Sequence, residues 1–88
     1  IYNNYPNPFN PITTIRYDLI EATSVAISIY DMMGKLVKKL INTNQTSGYK
    51  TIEWNGTNDK GEMVSAGMYF YSIKTSTFFQ TKKMILLK

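Results

Sequence analysis

Apolar side chains fall at every second position in four separate stretches of this chain, and none carries them at the spacing of an amphipathic helix. Ile15, Tyr17 and Leu19 alternate with Thr14, Arg16 and Asp18, and Val25, Ile27 and Ile29 alternate with Ala26, Ser28 and Tyr30. Ile52 and Trp54 oppose Thr51 and Glu53, while Tyr69, Tyr71 and Ile73 share one face of the β-prone run from Met68 to Thr75. Successive side chains of a strand point to opposite sides, so each stretch reads as a strand with one face turned to a core. The chain is therefore expected to be all-β.

The punctuation between these stretches sets their order. Pro6, Pro8 and Pro11 fix their own φ and push Tyr5, Asn7 and Asn10 towards extended conformations, so no helix starts in residues 1–12. Tyr5 and Phe9 make this Asn/Pro-rich leading segment a strip docked along a sheet edge rather than a free linker. The first strand is expected at Thr13 to Leu19. The second ends in Asp31-Met32-Met33-Gly34, where Asp at the first and Gly at the fourth position fit a type I turn with a bulge. From Lys35 to Ile41 the phase is ambiguous, because Leu36 and Leu40 share one face and Val37 and Ile41 the other, as in an edge strand or one containing a bulge. Asn42 to Gly48 reads as a polar loop. Asn55-Gly56, Asp59-Lys60-Gly61 and Gly67 are turn signals, and the last strand is expected from Phe78 to Leu87 after the turn Thr75-Ser76-Thr77.

With the leading strip counted, about seven strands make an immunoglobulin-like antiparallel β-sandwich. Residues 13–88 form the sandwich and residues 1–12 dock on it, within a single domain. Ser65-x-Gly67-x-Tyr69-x-Tyr71 has the spacing of a tyrosine corner, with Tyr71 where antibody domains place a core Cys.

At 88 residues there is room for one core, and 43% hydrophobic residues suffice to fill it. The chain has no Cys and no His, which excludes disulfides, thiol nucleophiles, imidazole bases and Cys/His zinc sites together. Six carboxylates remain, and Asp59 and Glu62 merely flank a glycine-bearing turn. No Ser stands in a G-x-S-x-G elbow. Asn55 to Glu62 gathers oxygen ligands, but placing Gly61 at the sixth position of a calcium loop puts Gly56 first and Lys60 fifth, where ligands are required. Phosphate-cradling glycine motifs are missing as well. The expectation is no enzyme, no cofactor and no metal.

Ten basic against six acidic residues leave a net charge of +4, a bias that serves solubility. Arg16, Lys50, Lys60 and Lys74 are scattered; Lys35, Lys38, Lys39 and Lys82, Lys83, Lys88 are the nearest approaches to clusters. Tyr30, Phe70 and Phe78 are candidate outward aromatics, too few to predict a nucleic-acid partner. No apolar run approaches the roughly 20 residues of a membrane-spanning helix. Any export signal at the amino end is expected upstream of Ile1.

Four blocks in order carry a family resemblance. Tyr5-Pro6-Asn7-Pro8-Phe9-Asn10-Pro11-x-Thr13-Thr14-Ile15-x-Tyr17-x-Leu19 opens the series, and Ile29-Tyr30-Asp31-x-x-Gly34-Lys35-x-Val37-x-x-Leu40 follows. Gly48, then Trp54-Asn55-Gly56-x-x-x-x-Gly61 and Gly67-Met68-Tyr69-Phe70-Tyr71, make the third, and Thr81-Lys82-Lys83-Met84-Ile85-Leu86-Leu87-Lys88 closes it. Together they resemble the type A C-terminal sorting domain of proteins exported by the bacterial type IX secretion system (the Por secretion system). The chain departs from that pattern at Ile20, Thr57, Ala66 and the turn Thr75 to Thr77.

The resemblance implies an immunoglobulin-like domain at the end of a larger cargo protein, read by outer-membrane export machinery. It also implies removal by a sortase-like peptidase, and a secreted or cell-surface destination reached through the periplasm. Partner recognition is assigned to Lys82, Lys83, Met84, Leu86, Leu87 and Lys88 on the last strand and to Tyr5, Pro6, Asn7, Pro8, Phe9, Asn10 and Pro11 on the strip. Such a strand can add to a receptor's sheet through its main chain. Met84 and Leu86 are expected to pack the core as well. The alternative is a structural immunoglobulin-like module retained in an extracellular filament or surface assembly, self-associating through edge strands. Related modules occur in flagellar hook-capping proteins. A carbohydrate-binding sandwich is the third reading.

Overall fold

The alternation becomes six strands in the computed structural model, which describes residues 1–87: β1 (Thr13–Leu19), β2 (Thr23–Tyr30), β3 (Leu36–Gln45), β4 (Gly48–Trp54), β5 (Gly67–Lys74) and β6 (Phe79–Leu86). Among the described residues there is no helix. β1 and β4 form a two-stranded sheet, and the other four strands lie in the order β3-β2-β5-β6, with every pairing antiparallel.

Every second residue is driven to the interface between the sheets because burying its apolar surface releases about 25 cal/mol per Å². Trp54, Phe9, Ile15, Ile29, Tyr69, Tyr71, Met84 and Leu86 pack at one end, and Tyr17, Leu19, Val25, Ile27 and Ile73 at the other. Ile1, Leu40 and Ile52 touch both groups. The Trp54 ring lies 5.7 Å from Phe9 and 5.3 Å from Tyr69, and its Nε1 donates to the Thr57 carbonyl at 2.9 Å, so no polar atom of the indole is left unpaired. Ile52, expected in the core beside it, is only half-buried.

Two local predictions meet their geometry. Gly34 has φ +82°, its N–H donates to the Asp31 carbonyl, and the Asp31 carboxylate accepts from the N–H groups of Met33 and Lys35. This is the left-handed end of the expected turn. Tyr69 Oη donates to the Ser65 carbonyl at 2.6 Å, closing the tyrosine corner.

The strand count is six rather than seven. Residues 1–12 make isolated bridges, Tyr5 to Thr14 and Phe9 to Leu86, because the prolines between them lack the N–H that a continuous ladder needs. The expected loop from Asn42 to Gly48 is also shorter: β3 runs on through Gln45, and only Thr46 and Ser47 connect it to β4. Main-chain pairing of Asn42, Thr43, Asn44 and Gln45 with β2 needs no apolar side chain on an edge strand. The ambiguous phase of β3 has its cause in two register shifts opposite Ile27/Ser28 and Ile29/Tyr30. They let Val37 and Leu40 both pack on the core, which a strict period of two forbids.

Truncating Trp54 to Ala should cost about 3–5 kcal/mol by denaturant titration, a large part of the roughly 4–13 kcal/mol expected of such a domain. Gly34→Val should cost about 1–2 kcal/mol through backbone strain alone, since a Cβ there meets nothing within 4 Å.

Candidate recognition surface

The leading strip is held by buried polar atoms rather than by a ladder. Tyr71, fully buried on β5, aims its hydroxyl out between the sheets, where it accepts from the Asn4 N–H at 2.9 Å and donates to the Tyr2 carbonyl at 3.0 Å. Asn4 is itself buried: its Nδ2 donates to Thr13 Oγ1 at 2.9 Å and to the Pro6 carbonyl at 3.3 Å, and Thr13 Oγ1 donates to the same carbonyl at 2.8 Å. Asn4 Oδ1 is buried without a partner. Outside this knot, Tyr2 donates its backbone N–H to Arg16 and its hydroxyl to the Asp18 carboxylate, and Tyr5 exchanges both backbone bonds with Thr14. The strip thus begins on the free edge of β1.

It then crosses to β6. Phe9 donates its N–H to the Ile85 carbonyl at 3.0 Å and accepts from Leu87 N–H at 2.7 Å, while Asn7 Oδ1 accepts from Ile85 N–H at 3.0 Å. Where strip and strand separate, they leave an open groove of about 790 Å³ lined by Asn3, Asn4, Tyr5, Pro6, Asn7 and Pro8 on one wall and Thr81, Lys82, Lys83 and Phe70 on the other. Among the described residues, no carboxylate lines it.

The candidate recognition residues divide accordingly. Tyr5, Pro6, Asn7, Pro8, Lys82 and Lys83 are gathered in the groove. Met84 and Leu86 are 0% and 1% exposed, which removes them as contact residues: they fill the core, as does Phe9 against Trp54. Leu87 is half-exposed beside the strip, Asn10 and Pro11 are exposed outside the groove, and Lys88 lies outside the described residues. Tyr30 and Phe70 are half-buried cross-strand neighbours on the outer sheet face, with Lys83 next in the row, and Phe78 sits exposed at the last turn.

The family model described as the secretion system C-terminal sorting domain matches residues 3–87. The chain belongs to that family. It is accordingly a secretion signal of the type IX export route, which delivers proteins across the outer membrane to the cell surface or beyond. The sorting domain is similar in fold to part of dimeric latent PorU from Porphyromonas gingivalis (24% identity, TM-score 0.73, covering 97% of this chain and 9% of that one). It also resembles part of PorZ, a surface component of the type IX secretion system of the same organism (21% identity, TM-score 0.66, 98% and 11%). A third likeness is to FlgD of Xanthomonas campestris, a hook-capping protein of flagellar assembly (24% identity, TM-score 0.65, 85% and 55%). The sorting domain thus spans about a tenth of the first two chains and about half of the third. No curated protein matches it.

Reading the sequence missed the residues that fasten the strip. The phase of Tyr71 places it in the core, but its hydroxyl needs partners once buried, and the extended segment supplies them with the Asn4 N–H and the Tyr2 carbonyl. Asn4 carries no periodic signal, and Thr13, though in phase with Ile15, Tyr17 and Leu19, is a polar residue that apolar alternation does not mark. Burial raises the Tyr71 phenol above its ordinary value of 10.0, against the lowering effect of the Asn4 N–H; burial likewise raises Tyr17 and Tyr69. With the folded pKa above the unfolded one, the folded state holds more protons once pH passes the unfolded value. The contribution of these phenols to stability should therefore be constant below about pH 10 and be lost above it. Tyr71→Phe leaves Asn4 N–H and the Tyr2 carbonyl unpaired and should cost about 1–3 kcal/mol in neutral denaturant titrations. It should also flatten the alkaline fall in melting temperature and speed amide exchange at Asn4.

Proposed function

We propose that this sorting domain acts by binding alone, as the element of a larger cargo protein that outer-membrane type IX machinery reads through the strip and β6. The cargo lies upstream in the same chain, reaches the periplasm by an ordinary export signal and crosses the outer membrane while the domain is held by its receptor. A sortase-like peptidase then removes the domain, leaving the cargo at the surface or in the medium. No catalytic role is assigned to the domain: with neither Cys nor His, no nucleophile is paired with an imidazole base.

The observation that carries this reading is the family match over residues 3–87, which takes in the strip as well as all six strands. The conformation of the strip supports it further. Tyr5, Pro6, Asn7 and Pro8 are fixed in place yet exposed, an arrangement that stabilises the domain less than burial would and leaves a shaped surface for a partner. The likeness to FlgD keeps open a second reading, a structural module retained in a surface assembly through its edge strands.

A passenger with a periplasmic export signal, fused ahead of this domain in a host with type IX machinery, should appear at the surface or in the medium. The same passenger without the domain should stay in the periplasm. Retention of both sinks the sorting reading, and finding the domain still attached in mature surface material favours the structural one.

A further inference from the structure

We infer that the groove between the strip and β6 is a strand-addition site for an extended acidic segment of a partner protein, with two consecutive carboxylate side chains lying opposite Lys82 and Lys83. The inference rests on the sorting reading only for who supplies that segment.

The main chain makes the first half of the case. Ile85 turns both its N–H and its C=O away from β5, towards Asn7 and Phe9 of the strip. The β5–β6 register runs from Phe79 to Leu86 without a shift, so the alternation of a strand turns the same two groups of Lys83 and Thr81 to that side. The strip covers only the far end of this edge, at Ile85 and Leu87. Among the described residues, Thr81 and Lys83 have no backbone partner beyond the sheet, and both line the groove. A row of paired donors and acceptors, walled on the other side by rigid proline-bearing chain, accepts one more strand. The volume of about 790 Å³ lies within the range that bound ligands fill.

Charge identifies the occupant. Among the described residues, the groove is lined by Lys82 and Lys83 and by no acid. A second copy of this chain pairing edge to edge would bring like charges face to face, which is destabilising. Neighbouring residues of a strand project to opposite faces: Lys83 lies in the outer row with Phe70 and Tyr30, and Lys82 is the register partner of Tyr71, whose ring faces the core. An added strand therefore meets one lysine on each face, and two acids in succession, not two acids in alternation, answer both.

The test uses a capped peptide of about six residues, about 20 Å when extended, with a Glu-Glu pair between threonines and valines. One control carries a Lys-Lys pair, and another has the two glutamates separated by a valine. The first should bind, slow hydrogen exchange at the Thr81 and Lys83 amides, and weaken with added salt; the controls should bind at least about fivefold more weakly. Thr81→Pro removes one outward N–H at an edge position that tolerates proline, and it should weaken binding about five- to tenfold while circular dichroism stays unchanged. If this variant misfolds, Lys82→Gln and Lys83→Gln read the same contact, each with a loss of at least about threefold. Equal binding of the three peptides, or no protection of the Thr81 and Lys83 amides, overturns the inference. Secretion of a passenger by the parent fusion and equally by a folded Thr81→Pro fusion overturns the export machinery as the partner while leaving the sorting reading intact. Failure of the parent fusion to be secreted strikes the sorting reading alone, because peptide binding still decides the groove.

Discussion

The buried hydroxyl of Tyr71 ties the core of the four-stranded sheet to the leading strip at two points. Its ring belongs to the core of the four-stranded sheet, and its oxygen takes the Asn4 N–H and serves the Tyr2 carbonyl. A phenol with its oxygen inside a sandwich would carry an unpaid desolvation cost, and an extended proline-bearing segment would carry unpaired backbone groups; each removes the other's cost. With the strip held at Asn4, Phe9 reaches the pocket beside Trp54, and the edges of β1 and β6 are covered where they would otherwise invite pairing. The open groove is the part of this edge that the strip leaves uncovered.

The sandwich was legible in the sequence wherever one face of a strand is buried and the other wet. The expected bounds of β1 match the structure, Tyr69, Tyr71 and Ile73 lie in the core as their phase implies, and the turn follows from Asp31 and Gly34 at its first and fourth positions. The reading failed where the periodic signal has no physical basis. In β3 two bulges reset the phase, so Val37 and Leu40 both face the core while appearing to oppose each other in sequence. From Asn42 to Gln45 the strand is held by main-chain bonds on an edge, and edge strands do not require the side chains that announce a strand.

The recognition surface was legible only in part, for a related reason. Residue type pointed to Lys82, Lys83, Pro6 and Pro8, and these do line one groove. It also pointed to Met84 and Leu86, which the same alternation that exposes Lys83 turns inward, and to Phe9, which packs on Trp54. Whether a residue on a mixed strand is a contact or a filler depends on parity, and parity on β6 is fixed by its pairing with β5 rather than by the local composition.

The two walls of the groove come from opposite ends of the domain: Asn7 meets Ile85 across 78 residues of sequence. Neither wall has its shape until both ends have found each other, and contacts of such separation form late because a long loop must close before they can contribute. A chain that is half-synthesised, clipped or only partly folded presents separate extended segments and no cleft between them. Any receptor that requires the cleft is therefore also testing whether the domain is finished, and admits only cargo whose final segment has completed its fold.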